Sequence, residues 1–238
     1  MATPPLVVGH RGWRDRYPEN TLVSLRAALD LGVDALEFDL HLSRDGHVVV
    51  IHDDTLDRTT DAKGRVQDRT LAELKRLDAG GWLDPRFAGE RIPTLEEVLD
   101  LAPPSVLLYA EVKDYRPEMV EKLVPLVLPR AASLVVHSFG AGFLEAFRAA
   151  APGIRIGLLG NVNKLDMGDE ARRLGCWGIH PCMDGLTREQ VAAWHAEGFT
   201  VMCWTVRDEA DARRALDLAP YAIGADCPDL LLRLLGRA

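Results

Sequence analysis

The chain has 238 residues, 47% hydrophobic and 27% charged, with a formal net charge of −8. That length makes one large domain or two small ones with a substantial buried core, and the composition is that of an ordinary globular protein. The acidic balance argues against broad contacts to nucleic-acid phosphates and leaves room for a local basic pocket that holds a single phosphate.

Residues 6–9 read as a short, fully apolar strand that ends at His10-Arg11-Gly12-Trp13. Pro18-Glu19-Asn20-Thr21 then opens a helix, with Leu22, Leu25, Ala28 and Leu29 at helical spacing and Asn20 or Thr21 as N-cap. The second strand, 33–42, contains the stretch around which the rest is organised. From Ala35 to Leu42 polar and apolar residues alternate, so Glu37, Asp39 and His41 project from one face and Leu36, Phe38, Leu40 and Leu42 from the other. Two carboxylates at i and i+2 on one face repel each other in a dry setting and become reasonable together if a hard cation such as Mg²⁺ or Ca²⁺ lies between them; a solvated outer face of an edge strand is the other reading. Ser43-Arg44-Asp45-Gly46 leads into His47-Val48-Val49-Val50-Ile51-His52-Asp53, and Asp-Gly between two β-rich runs signals a hairpin. With Asp45-Gly46 as a two-residue loop, Arg44 pairs with His47 and Asp39 lies opposite His52 on the same face. A slip of one residue reverses that placement.

Residues 54–94 break the rhythm with Gly64, Gly80-Gly81 and Pro85, around a short amphipathic piece at 71–77. They read as an insertion covering one end of the domain. Thr94, with Glu97 three residues later, caps the next helix. Strands are then expected over 106–112, 134–137, 154–159, 177–180, 199–204 and 221–224. Helices near 117–128, 141–150, 169–174, 187–197, 208–218 and 229–235 lie between and after them. Eight βα units in one unit spanning 1–238 suit a closed (β/α)₈ TIM barrel with an inserted cap after strand two. An open doubly wound sheet is the alternative, but no G-x-G-x-x-G follows the first strand.

The four cysteines, Cys176, Cys182, Cys203 and Cys227, form no C-x-x-C pair. Buried free thiols in a reducing compartment are therefore expected, rather than a disulfide framework or zinc site. No secretory leader is recognisable at the N-terminus, and no apolar run reaches the ~18 residues of a membrane span. The expectation is a cytoplasmic protein without stable membrane association.

In a parallel barrel, chemistry gathers at the C-terminal ends of the strands. There this sequence places His10 and Arg11, Glu37 and Asp39, Glu111 and Lys113, His137 and Ser138, His180, Trp204 and Asp226. Glu111 repeats the i, i+2 geometry with Lys113 and offers a third carboxylate beside Glu37 and Asp39. Three anions in a buried pocket are costly without a cation. Arg11 and Lys113 read as counter-charges for an anionic ligand, the guanidinium matching phosphate oxygens; an internal ion pair is the other reading of Lys113. His10 and His52 are the candidate proton-transfer pair, since imidazole titrates near neutral pH; hydrogen-bonded core histidines are the other reading. His41 either lies above the cation site or faces solvent. His137 and His180 read as pocket walls or structural residues, and His47 and His195 as surface. Trp204 reads as core packing or as a cover for an apolar ligand face.

His10-Arg11-Gly12, Pro18-Glu19-Asn20-Thr21, Glu37-Phe38-Asp39, His52-Asp53 with Asp57-Arg58-Thr59-Thr60, Glu111-Val112-Lys113, Trp204-Thr205-Val206 and Asp226-Cys227-Pro228 occur in that order. Together they resemble the glycerophosphodiester phosphodiesterase family, of the short cytosolic bacterial type, from Val8 to about Pro228. The resemblance implies a barrel with a cap after strand two, and a divalent cation, Mg²⁺ or Ca²⁺, on Glu37, Asp39 and Glu111. It implies His10 and His52 as the acid–base pair, and Arg11 and Lys113 at the phosphate. The implied reaction cleaves a glycerophosphodiester, the small-molecule partner, to sn-glycerol 3-phosphate and an alcohol such as choline, ethanolamine or glycerol. By analogy with related phosphodiesterases, His10 as base takes the proton of the glycerol 2-hydroxyl, attack on phosphorus gives a cyclic phosphate, and His52 as acid protonates the departing alcohol. Water then opens the ring with the roles exchanged; direct attack by water is the alternative. The sequence departs from the family pattern at Tyr109-Ala110, where members often carry an Asn before the glutamate, and at Gly224-Ala225, where a Thr is common before the aspartate. Two rivals stand beside this reading. One is a lyase-type phospholipase on the same barrel, with Trp82 and Phe87 as a membrane-facing rim. The other is a non-catalytic binding protein on a retired enzyme scaffold.

Overall fold

The structure, a computed structural model, describes residues 4–237. In chain order the elements are β1 (Leu6–His10), α1 (Leu22–Asp30), β2 (Ala35–Leu42), β3 (Val48–Val50), α2 (Leu71–Leu74), α3 (Leu95–Leu101), β4 (Leu107–Val112), α4 (Glu118–Val127), β5 (Leu134–Ser138), α5 (Ala141–Ala150), β6 (Arg155–Gly160), α6 (Met167–Leu174), β7 (Gly178–Pro181), α7 (Arg188–Ala196), β8 (Thr200–Val206), α8 (Glu209–Leu218), β9 (Ala222–Ala225) and α9 (Pro228–Leu234). Eight strands pair in parallel in the order β1-β9-β8-β7-β6-β5-β4-β2, and β1 pairs with β2 to close the ring. This is the (β/α)₈ barrel rather than the open sheet. Antiparallel β3 hangs on the free end of β2.

Alternation along each strand divides the molecule into two layers. Leu36, Phe38 and Leu40 of β2, Leu108, Ala110 and Val112 of β4, and Leu134 and Val136 of β5 point outward into the large core beneath the helices. The intervening residues point into the lumen, where Val8, Ala35, Tyr109, Val135, Met202 and Ala222 pack together. Glu37, Asp39 and Glu111 occupy the lumen-facing positions nearer the strand ends. Phe38 is fully buried in the outer layer. Phe38→Ala is expected to lower stability by about 3–5 kcal/mol through the cavity it leaves, as measured by urea unfolding.

Helix starts follow the sequence signals. Thr21 caps α1, its hydroxyl accepting from the Ser24 amide at 3.4 Å. Thr94 and Glu97 form a complete capping box on α3, as do Thr187 and Gln190 on α7. Asn20 does not cap; its side chain is used elsewhere, as described below.

The hairpin differs from the expected register. Leu40 pairs with Val50, His41 with Val49 and Leu42 with Val48. Ser43 stands opposite His47, its amide donating to the His47 carbonyl at 2.9 Å. The loop therefore has three residues, Arg44-Asp45-Gly46, and Gly46 supplies the left-handed step with φ +81°. Asp39 consequently faces Ile51, whose amide donates to its carbonyl at 3.0 Å. His52 is not its cross-strand partner. The histidine still reaches the barrel mouth, because β3 ends at Val50 and the chain turns there, which frees His52 from strand alternation.

From Ile51 to Pro93 the chain forms the insertion. It has its own small core of Ile51, Leu56, Val66, Leu74, Ala79 and Ile92, anchored on Val49 of β3. Phe87 is buried, whereas Trp82 is partly exposed. Among the described residues, no helix is long and apolar enough to cross a membrane.

Inside the barrel, His137 Nδ1 and His180 Nδ1 share one hydrogen bond at 3.0 Å, one ring donating and the other accepting. A Cβ on Gly157 would stand 2.2 Å from the His180 ring, so that glycine makes the space the imidazole fills. Burial brings His180 down from 6.5 to about 3, and burial together with the His180 ring pushes His137 well below its ordinary value. Histidines that protonate less readily folded than unfolded stabilise the protein above the unfolded value of 6.5 and withdraw that stability as pH falls toward 3. Urea midpoints are expected to decline over that window, and His180→Gln is expected to decline less steeply.

Candidate active site

The loop after β1 is shaped for the site. Arg11 and Asn20 both adopt left-handed backbone, with φ of 56° and 59°, which non-glycine residues accept only when the surroundings fix them. Gly12 between them, at φ +89°, lies so close to α1 that a Cβ would meet Ser24 Oγ at 2.4 Å. This conformation aims the Arg11 amide at Glu37 Oε2, 3.0 Å away, and brings the Arg11 Nε within 3.2 Å of Asp39 Oδ2. Asn20 holds Asp39 from both sides, Nδ2 donating to Oδ2 at 2.7 Å and Oδ1 accepting from the Asp39 amide at 3.3 Å.

Register then assembles the acids. Parallel pairing sets Asp39 beside Glu111, and His10 beside Glu37. One oxygen from each of Glu37, Asp39 and Glu111 lies within 4.8 Å of the others, and all three residues are buried. Burial, then Asp39 and Glu111, push Glu37 well above the ordinary carboxyl range. Burial, then Asp39, raise Glu111 to about 7. For Asp39 burial acts upward, but Arg11 and Lys113 outweigh it and hold this carboxyl low. Lys113 Nζ donates to Glu111 Oε1 at 2.5 Å and sits 3.3 Å from Asp39 Oδ1. It is thus an internal counter-ion in this structure while also lining the cavity.

A divalent cation fits these residues. Glu37 Oε1 is a buried carboxylate oxygen with no hydrogen-bond donor, which is costly unless a positive ion faces it, and Asp39 Oδ1 has only the Lys113 ammonium, 3.3 Å away. The donor set is all carboxylate oxygen, the hard chemistry of Mg²⁺ and Ca²⁺ rather than of zinc.

Two imidazoles flank the acids, each held by an aspartate. His10 Nδ1 donates to Asp226 Oδ1 at 2.5 Å, and its Nε2 lies 3.8 Å from Glu37 Oε2. His52 Nδ1 donates to Asp53 Oδ1 at 2.6 Å. In both rings this fixes the proton on Nδ1 and leaves Nε2 as the working nitrogen. Burial lowers both histidines from their ordinary value. The Asp226 bond opposes this in His10, and the Asp39 charge opposes it in His52.

A buried glutamate ties the two halves together. Glu19 accepts from Arg11 at 2.9 Å, from Arg14 at 2.9 Å and from Arg58 at 2.8 and 2.9 Å. Burial would raise its carboxyl, but the guanidinium groups bring it down to about 2. Arg58 comes from the insertion and also grips Asp53 at 2.8 and 3.0 Å; Arg14 bonds Asp226 at 3.0 Å. The insertion is thereby joined to both histidine–aspartate pairs.

The predicted residues line one cavity of about 200 Å³: His10, Arg11, Glu37, His52, Glu111, Lys113 and Trp204. Asp39 lies behind Glu37 and Glu111, fully buried. Trp204 Nε1 donates to the His180 carbonyl at 2.9 Å, and its ring meets Phe139 edge-on with centroids 5.9 Å apart. With Met202 and Leu159 these rings form an apolar wall opposite the charged one. His41 does not face solvent: it is buried, and its Nε2 donates to the His52 carbonyl at 3.1 Å. Sequence reading missed Asn20, Glu19, Arg14, Arg58, Asp53 and Asp226 as site residues. Asp53 and Asp226 were flagged by standing next to a motif histidine and at a strand end, and Glu19, Asn20 and Arg58 by standing inside the motifs quoted above; Arg14 alone carried no signal.

Buried acids and carboxylate-held imidazoles at the mouth of a (β/α)₈ barrel make the acid–base site of an enzyme. The chain matches the glycerophosphoryl diester phosphodiesterase family over residues 10–230 and belongs to that family. It is 36% identical over 236 residues to a glycerophosphodiester phosphodiesterase of Caldanaerobacter subterraneus subsp. tengcongensis, covering 97% of each chain. It is 33% identical to one of Bacillus subtilis, covering 94% of this chain and 84% of that one. The solved structure of an Oleispira antarctica phosphodiesterase in complex with the product sn-glycerol-3-phosphate superposes with a TM-score of 0.88 at 31% identity, covering 98% and 97% of the two chains.

Proposed function

We propose that this chain hydrolyses glycerophosphodiesters to sn-glycerol 3-phosphate and an alcohol. One divalent cation, Mg²⁺ or Ca²⁺, sits on Glu37, Asp39 and Glu111, and two histidines carry the protons. The observation that carries the reading is the orphaned Glu37 oxygen in a cavity flanked by two aspartate-held imidazoles, with oxygens of Asp39 and Glu111 within 4.8 Å. The Oleispira relative, bound to its product sn-glycerol-3-phosphate, supports the same substrate class. The whole chain, 1–238, acts as one barrel unit whose insertion supplies Asp53 and Arg58 to the site.

When bound, the cation supplies Lewis-acid polarisation of the phosphoryl group and of a substrate hydroxyl. The protein does the rest. Arg11 and Lys113 orient the phosphate, and the Trp204 wall covers the apolar edge of the glycerol half. His10, whose Nδ1 proton is committed to Asp226, takes a proton at Nε2 as general base. His52, less buried and facing the Asp39 charge, protonates the departing alcohol from Nε2. Asp226 and Asp53 hold the tautomers and are positioning residues. Asp226→Asn is expected to lower kcat by about 10²-fold with a small change in KM, because an amide no longer enforces the Nδ1 proton.

The experiment is release of glycerol 3-phosphate from soluble glycerophosphodiesters, with and without chelator, against intact phospholipid. Release from the soluble diesters that chelation abolishes and Mg²⁺ or Ca²⁺ restores is expected. Cleavage of intact phospholipid alone would replace this reading with the lyase one. A substrate lacking the glycerol 2-hydroxyl separates the two routes, since normal turnover would eliminate the cyclic phosphate.

A further inference from the structure

A second cavity, of about 540 Å³, opens beside the first and shares Lys113 with it. Its walls come from the end of β2 through His41, from the loop after β4 through Asp114, Tyr115 and Arg116, and from the insertion through Asp54, Arg65 and Gln67. Apart from Lys113, none of these residues has a place in the chemistry above. Because Lys113 lines both cavities, a phosphate bound at Lys113 would stand where the two meet. His52, the acid for the departing alcohol, borders the same side, its carbonyl held by His41.

The charges of the wall are already spent on each other. Asp114 accepts from Arg116 Nε at 3.0 Å, from Arg116 Nη2 at 2.7 Å and from the amides of Arg116 and Leu42 at 3.1 Å each. Asp54 pairs with Arg65 at 3.5 Å. Each carboxylate of the wall is matched to an arginine, and Lys113 to Glu111 and Asp39, so the wall presents no unpaired anion to an incoming cation. Tyr115 is the one aromatic ring in the lining, and a single face makes no cage for a quaternary ammonium group. What the wall offers instead is mixed hydrogen bonding. Gln67 donates and accepts, the guanidinium groups donate, and His41, whose Nε2 is the donor, keeps Nδ1 as an acceptor. Hydroxyl groups, which both donate and accept, match that lining.

We propose that this cavity is the subsite for the departing alcohol and that it selects an uncharged polyhydroxy alcohol, from glycerol to inositol in size, over a quaternary ammonium alcohol such as choline. The inference rests on the reading of the chain as a glycerophosphodiester hydrolase. The test is kcat/KM of the Mg²⁺-loaded full chain for the glycerol, inositol and choline diesters of glycerol 3-phosphate. Both polyol esters are expected to exceed the choline ester by about tenfold or more, the scale of a lost hydrogen-bond set. Gln67→Leu and Arg65→Ala, checked for folding by circular dichroism, are expected to reduce that ratio several-fold, mainly through KM. A choline ester cleaved as well as the polyol esters, or a ratio unmoved in both variants, overturns the subsite and leaves the hydrolase reading standing. No glycerol 3-phosphate from any of the three overturns both.

Discussion

Alanine at His10 or at His52 is expected to lower kcat by ~10²-fold or more, the usual contribution of a positioned general acid or base. Each ring has its Nδ1 bonded to an aspartate within 2.6 Å and its other nitrogen toward the cavity. Neither alanine removes a ligand of the acid cluster, so cation binding should persist in both variants. The two residues serve one proton-transfer sequence, so the double variant should lose far less than the product of the single losses. Steady-state kinetics of the three variants check this. Near-normal kcat in either single variant removes that histidine from the mechanism.

The second large effect belongs to the acids. Asp39→Asn is expected to reduce activity by on the order of 10³-fold, since several kcal/mol of charge stabilisation depend on the cation site. Asp39 is the carboxyl that Arg11 and Lys113 keep ionised, and Asn20 fixes its orientation. An amide at this position removes the one acid of the three whose charge the protein's own cationic side chains already hold. Glu111→Gln should be milder, because Lys113 then turns fully to Asp39, 3.3 Å away. Activity measured across a range of Mg²⁺ and Ca²⁺ concentrations distinguishes weakened binding, which excess cation repairs, from a lost catalytic environment, which it does not.

The barrel and most of its site were legible because strand alternation and strand-end position are local properties. The Leu36–Leu42 pattern sends Glu37 and Asp39 inward by period two alone, and the eight strand–helix repeats fix which ends meet. The hairpin register was not legible. Asp45-Gly46 signals a turn, yet a two-residue and a three-residue loop use the same letters, and Gly46 took the left-handed position of the longer one. His52 reached the mouth by the chain's exit from β3 rather than by the pairing that the shorter loop implies. The roles of Glu19, Arg14 and Arg58 were not legible for a different reason. Their ion-pair network joins Glu19 to Arg58, 39 positions away, and Arg14 to Asp226, 212 away, through a loop of unusual backbone, and nothing in spacing announces it. Asn20 looked like a helix cap because capping and carboxylate clamping call for the same side chain, and its neighbour Thr21 took the cap.

All of this turns on a single ion gripped by three acids from two neighbouring strands. Calorimetric titration of the chelator-stripped full chain with Mg²⁺ and with Ca²⁺ tests it most directly, alongside the Glu37→Gln and Asp39→Asn chains. One ion bound per chain, lost or strongly weakened in both variants while urea unfolding shows them folded, is the predicted result. Unchanged binding in both variants, or full activity in a chain that takes up no ion, contradicts it.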